Sequence, residues 1–210
     1  MPNGAPEYPV KLNIEYPEKC DRLTTFFRFF VAVPILIILS MLVRYWGDDC
    51  ECNRLYYYGY GAGIVFMPVL LMILFNKKYP RWWFDWNVAL VKFAARVESY
   101  LSLLTHEYPS TDEEQRVHLE IPYPDVEKEL GRGMPLIKWL LVLPHAIVLS
   151  FLYIAAGVCV VIAWFAILFT EKYPVELFNF VVGVMRWSLR VFAYAVLLTT
   201  DIYPPFSLSE

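Results

Sequence analysis

The stretch MPLIKWLLVLPHAIVLSFLYIAAGVCVVIAWFAILF, residues 134–169, contains one charged side chain, Lys138, and otherwise almost only apolar residues. A helix that crosses a bilayer needs about 20 apolar residues, and this stretch as one helix would be roughly 54 Å long. That length exceeds a hydrocarbon core of about 30 Å even with a generous tilt. The stretch therefore predicts two short spans, 134–152 and 154–169, joined by a tight turn near residues 153–157.

The composition of the whole chain agrees with a membrane location. Of the 210 residues, 58% are hydrophobic and 19% are charged, and the mean hydropathy is +0.44. Soluble domains contain about 45–50% apolar and about 25% charged residues. The net charge of −3 provides no overall basic surface for nucleic acid. We therefore expect an all-α integral membrane protein that does not bind nucleic acid.

Two further stretches, 26–46 and 55–75, are also long enough to cross a bilayer. Two other apolar segments, 82–104 and 176–199, each contain a polar stripe at steps of three or four residues, which is typical of an amphipathic helix. The stripes consist of Asp85, Ala89, Lys92, Arg96 and Ser99 in the first segment, and of Glu176, Asn179, Gly183, Arg186 and Arg190 in the second.

The basic stripes favour helices that lie in the membrane interface over helices that cross the bilayer. The alternative is a transmembrane helix with its arginines facing the bundle interior, but each Arg or Lys at the midplane costs at least about 2.5–3.5 kcal/mol. With interfacial helices, all of the 18 Lys and Arg residues except Arg44 and Arg54 lie on or near the N-terminal side. By the positive-inside tendency that side is cytoplasmic. We expect a multi-pass protein of a bacterial inner membrane with both termini in the cytoplasm.

An internal duplication is the strongest signal in the chain. Residues 79–105 align without gaps to residues 173–199, and ten positions are identical, including Arg96/Arg190 and Tyr100/Tyr194. Residues 10–17 match 117–124, and residues 26–34 match 136–144, with Arg28 opposite Lys138 and Pro34 opposite Pro144. Alternation of apolar and polar residues predicts strands at 10–16 and 117–123.

The duplication predicts two repeats of the same design. Repeat 1 covers residues 1–109, a linker with the second strand covers 110–133, and repeat 2 with a C-terminal tail covers 134–210. Each repeat is expected to contain a short cytoplasmic strand, two transmembrane helices and one amphipathic interfacial helix. Because the number of spans per repeat is even, we expect parallel repeats about a pseudo-twofold axis along the membrane normal.

The second half resembles the bacterial membrane protein family catalogued as domain of unknown function 4389. The resemblance rests on the motifs KWLLVLPH at 138–145, IAWFAILFT at 162–170, FNFVVGVMRWSLR at 178–190 and YPPFSL at 203–208. It covers roughly residues 117–208, and the first half is similar to a diverged copy that has Ile35 where the second half has His145. The resemblance implies a membrane fold, and it implies no activity.

Several side chains are candidates for binding. The basic residues Lys92, Arg96, Arg186 and Arg190 are expected either to bind lipid phosphates or to form ion pairs with nearby acids. His145 follows the kink expected at Pro144. Its side chain either marks a proton or ligand path or bonds a carbonyl freed by the proline, and the second interpretation is favoured.

Small residues and cysteines suggest contacts with other chains. Gly59 and Gly63 form a G-x-x-x-G step, and Ala155, Cys159 and Ala163 form a small-residue row that lets another helix approach. Cys50 and Cys52 are a candidate disulfide in an outer loop. Two cysteines are too few ligands for a metal site, and no cofactor or metal is expected.

The sequence contains no P-loop, dinucleotide fingerprint, H-E-x-x-H motif or nucleophile elbow, so we do not expect an enzyme. We expect a non-catalytic accessory or scaffolding subunit of a larger membrane protein complex, whose partners are membrane lipids and other integral membrane subunits. The alternative is a small transporter or channel with a path along the pseudo-twofold axis.

Overall fold

The computed structural model of the chain describes residues 8–17, 20–43, 69–73, 75, 79–111, 113, 115–125, 130–131 and 133–209. In chain order its elements are β1 (Lys11–Ile14), α1 (Arg22–Val43), α2 (Arg81–Leu101), β2 (Val117–Glu120), α3 (Met134–Thr170) and α4 (Val175–Phe192), followed by a π-helical turn (Ala193–Leu197). Residues 69–73 are also helical. The loop with Cys50, Cys52, Gly59 and Gly63 lies outside the described residues, as does most of the predicted span 55–75.

Helix α3 is one continuous helix of 37 residues, so the predicted hairpin of spans 134–152 and 154–169 is wrong. The expected turn region has Gly157 as its only helix breaker, next to Ala155 and Ala156. A single glycine in a helix costs only about 1 kcal/mol relative to alanine, and Pro144 is accommodated inside the helix. Bilayer thickness limits how a helix can lie in a membrane, but it does not create a turn in the backbone.

Among the described residues, two helical segments are long and apolar enough to cross a membrane, Ile137–Thr170 and Val175–Leu197. The first is mostly exposed and the second is mostly buried. The second comprises α4 and the π-helical turn, which the polar stripe assigns to the interface. Helix α1 also directs large apolar side chains outward. The exposed large residues of α1 and α3 include Phe27, Phe30, Ile37, Trp139, Phe151, Ile154, Phe165 and Phe169. These features favour a membrane protein.

The two predicted strands pair with each other. β1 and β2 are antiparallel, with Lys11 opposite Glu120 and Ile14 opposite Val117. Leu12, Ile14, Val117 and Leu119 are buried, and the residues between them are exposed, as the alternating pattern predicts. Both strands have four residues and are shorter than predicted. A two-stranded sheet of this size is marginal alone, and here it packs against α2 and α4.

One tyrosine hydroxyl after each strand bonds the backbone at the start of a helix that is distant in the sequence. We call these two bonds the crossed tyrosine bonds. The Tyr16 hydroxyl donates to the carbonyl of Tyr173, immediately before α4. The Tyr123 hydroxyl donates to the carbonyl of Tyr79, immediately before α2. The Tyr16 ring meets Phe178 edge-on, and the Tyr123 ring meets Phe84 edge-on, both at 5.1 Å between centroids. The tyrosine after β1 therefore holds the start of α4, and the tyrosine after β2 holds the start of α2.

The start of α1 lies against the end of α3. Arg22 forms an ion pair with Glu171 at 3.0 Å, and the indole of Trp164 donates to the carbonyl of Thr25 at 3.3 Å. The predicted parallel repeats would place the starts of both helices on the same side of the membrane. In the structure the start of α1 lies beside the end of α3 instead. The prediction assumed two spans in each repeat, whereas residues 134–170 form a single helix.

Candidate functional site

A lysine is buried at the start of α3. Lys138 is 0% exposed, and its Nζ forms an ion pair with Oδ1 of Asp201 at 2.8 Å. The same Nζ donates to the carbonyl of Thr200 at 2.6 Å and lies 4.8 Å from the centroid of the Tyr194 ring. Oδ2 of Asp201 accepts from the backbone N–H of Gly131 at 2.7 Å. A buried charge of this kind requires a partner of opposite charge, and Asp201 supplies it.

An arginine is buried in the same way in α1. Arg28 Nη1 donates to the carbonyl of Tyr100 at 2.8 Å, and its Cζ lies 4.5 Å from the centroid of the Tyr100 ring. Arg28 Nη2 lies 2.9 Å from Nδ1 of His106. Because guanidinium nitrogens only donate, Nδ1 of His106 is the acceptor of this bond. The imidazole is neutral in that arrangement.

The two buried cations occupy equivalent sequence positions, six residues before Pro34 and Pro144, and each stacks on one of the aligned tyrosines Tyr100 and Tyr194. Leu103 and Leu198 both adopt a left-handed backbone, with φ of 65° and 55°. They are one residue out of step with the gapless alignment, because the π-helical turn accommodates one extra residue. This offset makes Asp201 the counterpart of His106. One cation is therefore neutralised by a carboxylate, and the other bonds a neutral imidazole.

Sequence reasoning did not identify Arg28, Lys138 and Asp201 as a group. The available signal was the repeat itself, which aligns Arg28 with Lys138 inside otherwise apolar segments. Charged residues in such segments are rare and require partners.

We expect the stability of the protein to fall in mild acid because of His106. Burial, and then the charge of Arg28, hold the pKa of His106 below its ordinary value of 6.5. The unfolded chain therefore binds a proton at His106 at a higher pH than the folded chain does. The contribution to folding is complete above the unfolded value and is lost as the pH falls toward the folded value.

The measurement is the thermal unfolding temperature of the detergent-solubilised protein at about pH 7.5 and about pH 5.5, for the wild type and the His106→Gln variant. Glutamine retains an acceptor for Arg28 but does not titrate. The variant should lose less stability on acidification than the wild type. An equal loss in both proteins would show that His106 does not contribute to the pH dependence.

Arg186 and Arg190 hold the two ends of the described chain on α4. Arg186 Nε and Nη2 donate to the carbonyl of Leu12 in β1 at 3.2 and 3.1 Å, and Nη1 donates to the carbonyl of Leu208 at 3.4 Å. Arg190 Nη1 donates to the carbonyl of Ser209 at 3.0 Å. The C-terminal tail, residues 203–209, is thus fastened to α4. The sequence predicts that these arginines bind lipid phosphates or form ion pairs. Neither prediction anticipates their hydrogen bonds to backbone carbonyls.

The tail is also fitted closely to the helix at Gly183. A Cβ at that position would lie 2.9 Å from Cβ and 3.0 Å from the carbonyl oxygen of Leu208. Both distances are shorter than normal van der Waals contact, so a side chain at position 183 would displace the tail backbone. A glycine is needed at this point because the two segments approach so closely.

Lys92 and Arg96 border a groove on α2, which we call the α2 groove. Its lining consists of Trp86, Ala89, Leu90, Lys92, Phe93 and Arg96, with Thr111 at one edge. Arg96 Nη1 donates to the carbonyl of Ser110 at 2.5 Å. Lys92 and Ala89 are exposed, whereas Phe93 is buried at the floor. The groove therefore combines an aromatic floor with an accessible ammonium group.

His145 lies in an aromatic cluster. Its Nδ1 accepts from the indole N–H of Trp187 at 3.1 Å, and its ring stacks on Phe206 at 3.9 Å and tilts against Tyr203 at 4.9 Å. The predicted bond to a freed carbonyl is therefore wrong for Nδ1. The buried Nε2 has no hydrogen-bond partner within the described residues.

The small-residue row of α3 is only partly accessible. Ala163 is buried and Cys159 is half-buried, whereas Ala155 is exposed, so the outward part of the row lies near Ala155. Cys159 and the buried Cys20 are free thiols. Within the part of the chain that the structure describes, no group of three or more His, Cys, Asp or Glu residues is placed to hold a metal ion.

Comparisons with known proteins identify one family. Residues 134–207 match the family model described as a domain of unknown function (DUF4389), which confirms the resemblance based on the motifs of the second half. The matched range includes Lys138, His145, Arg186, Arg190 and Asp201. No curated protein and no solved structure matches the chain. The buried lysine, the aromatic cluster and most of the fastened tail therefore lie in the part of the chain, residues 134–207, that matches the DUF4389 model.

Proposed function

We propose that the protein is a non-catalytic accessory or scaffolding subunit of a larger membrane protein complex in a bacterial inner membrane. The observation that carries this proposal is the apolar, mostly exposed segment Ile137–Thr170 of α3. A helix of that length extends about 50 Å, against a hydrocarbon core of about 30 Å. Unless the helix tilts by more than 50°, roughly, part of its apolar surface lies beyond the lipid. Another integral membrane subunit would cover that surface.

The polar side chains of the described core support a scaffolding role. Lys138, Arg28 and Arg186 each donate to the carbonyl of a residue distant in the sequence. Such bonds fix chain segments relative to one another and leave these groups occupied. A preorganised surface of this kind lowers the entropy that is lost when a partner binds.

The proposal includes lipid contacts at the interfacial helices, made by the exposed tryptophans at the start of α2, and N- and C-termini on the cytoplasmic side. Trp82 and Trp86 are exposed at the start of α2, and aromatic residues of this kind concentrate at membrane interfaces. Arg186 bonds both Leu12 and Leu208, which supports placing both ends of the chain on one face. Lys11, Arg22 and Lys172 lie near that face, and basic residues of this kind favour the cytoplasmic side.

We also propose that the chain arose by duplication of one module. The crossed tyrosine bonds join equivalent residues, because Tyr16 aligns with Tyr123 and Tyr173 aligns with Tyr79. The buried cations and the left-handed leucines add further matched pairs. These contacts support a common origin of the two halves. The family match covers residues 134–207 only and gives no information on the first half.

The subunit proposal predicts protein contacts on the outer face of α3. A photo-crosslinking amino acid at Phe151 or Ile154, both exposed, should attach the protein to a defined second membrane protein in intact membranes. The same substitution at the buried Leu149 is the matched control and should give no product with another chain. Purification in mild detergent should recover the same partner. Crosslinks to lipid alone, together with a lone monomer after purification, would exclude the proposal.

The alternative function, a small transporter or channel, draws on the unpartnered Nε2 of His145. The rings of Trp187, Tyr203 and Phe206 surround that side chain, which favours a packing role over a conducting path. Proton and ion flux into liposomes that contain the protein, with His145→Ala as the comparison, tests this alternative. An absence of flux under every gradient would remove it.

A further inference from the structure

The face of α4 that bears its polar stripe is covered by the chain's own tail. Phe206 meets Trp187 at 5.6 Å between ring centroids, and Leu208 lies on Gly183. Arg186 and Arg190 donate to the carbonyls of Leu208 and Ser209. The covering segment has no regular secondary structure, and its aromatic side chain, Phe206, is followed two positions later by the aliphatic Leu208.

The face of α2 that corresponds in the sequence to this face of α4 lines the α2 groove. Sequence alignment of the helices places Ala89, Lys92, Phe93 and Arg96 opposite Gly183, Arg186, Trp187 and Arg190. Phe93 and Trp187 are both aromatic. Lys92 and Arg96 are basic, as are their counterparts in α4. The segment after α2 begins with Tyr108-Pro109, as the tail begins with Tyr203-Pro204.

The covering side chains differ between the two halves. Counting from the Tyr-Pro pairs, Thr111 stands where the tail has Phe206, and Glu113 stands where it has Leu208. Ala89 and Lys92 are exposed, as are Thr111 and Glu113. The first half therefore has the floor and cations of the covered site but not the aromatic and aliphatic residues that cover it.

We propose that the α2 groove binds a non-helical segment of a partner protein that carries an aromatic residue and, two positions later, an aliphatic residue. The aromatic ring packs on Phe93, and Lys92 donates to a backbone carbonyl of the segment, while Arg96 keeps its bond to the carbonyl of Ser110. The proposal rests on the proposed subunit function and names the chemistry of the partner. A peptide fits better than a lipid headgroup, because the matched cations of α4 bond neutral backbone carbonyls of the tail.

Ala89 limits how closely the segment approaches. The tail reaches α4 only because position 183 is glycine, and Ala89 adds a methyl group at the equivalent point. The Ala89→Gly variant should therefore tighten binding several-fold by admitting the segment as closely as the tail approaches Gly183. Lys92→Gln should weaken binding about tenfold, because the variant loses a hydrogen bond from a charged donor, and a factor of ten corresponds to about 1.4 kcal/mol.

The test uses the full chain in nanodiscs and a fluorescent peptide with the sequence of residues 203–209, YPPFSLS, followed by polarisation. We expect saturable binding that Ala89→Gly strengthens and Lys92→Gln weakens. Lys172→Gln, at an exposed lysine after α3, is the matched control and should have no effect. A peptide with serine in place of its phenylalanine and leucine should not bind.

Three outcomes would overturn the proposal. The first is the absence of saturable binding. The second is binding that does not respond to Lys92→Gln and Ala89→Gly. The third is complete loss of peptide binding in nanodiscs with anionic lipid, together with lipid retention that depends on Lys92. The last outcome would assign the groove to a lipid. Crosslinking from Phe151 and Ile154 tests the subunit function independently, so a negative peptide result leaves that function separately measurable.

Discussion

The Asp201→Ala variant is expected to lose about 3 kcal/mol of unfolding free energy, because removing one partner of a buried ion pair leaves the other charge uncompensated. Lys138 is fully buried and would retain only the carbonyl of Thr200 and the Tyr194 ring. The N–H of Gly131 would also lose its acceptor. No other single substitution proposed for this protein should have a larger effect.

Reversible unfolding in mixed micelles, monitored by circular dichroism, measures this loss. Asp85→Ala removes an exposed carboxylate from α2 and should change the free energy by no more than about 0.5 kcal/mol. Adding Lys138→Met to Asp201→Ala should restore much of the stability, because the unpaired buried charge is then absent. If Asp201→Ala behaves like Asp85→Ala, the ion pair does not stabilise the fold.

The Gly183→Ala and Gly157→Ala variants are expected to change stability in opposite directions although the substitution is the same. At position 183 the new methyl group would meet the backbone of Leu208, and overpacking of this kind costs about 1–3 kcal/mol. At position 157 a Cβ meets nothing within 4 Å. There the higher helix propensity of alanine should stabilise α3 by as much as about 1 kcal/mol.

Hydrogen exchange separates a local effect from a global one. In Gly183→Ala the amide of Ser209 and its neighbours in the tail should exchange faster, because the contacts with Arg186 and Arg190 are disturbed. In Gly157→Ala the exchange of the tail should remain that of the wild type. Unchanged tail exchange in Gly183→Ala would contradict the close packing of the tail on α4.

Much of the secondary structure follows from short-range patterns. The alternation at residues 10–16 and 117–123 predicts the strands, and the polar stripes at 82–104 and 176–199 predict α2 (Arg81–Leu101) and α4 (Val175–Phe192). The hairpin at residues 134–169 failed because the argument used bilayer thickness. Helix continuity is decided by backbone hydrogen bonds and local propensity, and Gly157 alone does not interrupt them.

The polar contacts were less predictable because their partners are distant in the sequence. Spacing along a helix places Arg186 and Arg190 on one face, but it does not reveal that β1 and the tail supply the carbonyls. Asp201 is a counterpart of His106 only through the π-helical turn, which the gapless alignment does not contain. The pairing of Lys138 with Asp201 therefore depends on the folded chain.

The crossed tyrosine bonds have a consequence for biogenesis. During translation the carbonyl of Tyr79 acquires its partner only after Tyr123 has left the ribosome, and Tyr16 acquires its partner only after Tyr173. A nascent chain that ends before residue 173 therefore lacks one of these bonds, whichever helices it has already formed. The bond of Tyr123 can therefore form well before the bond of Tyr16, which closes only when the second half of the chain has been made.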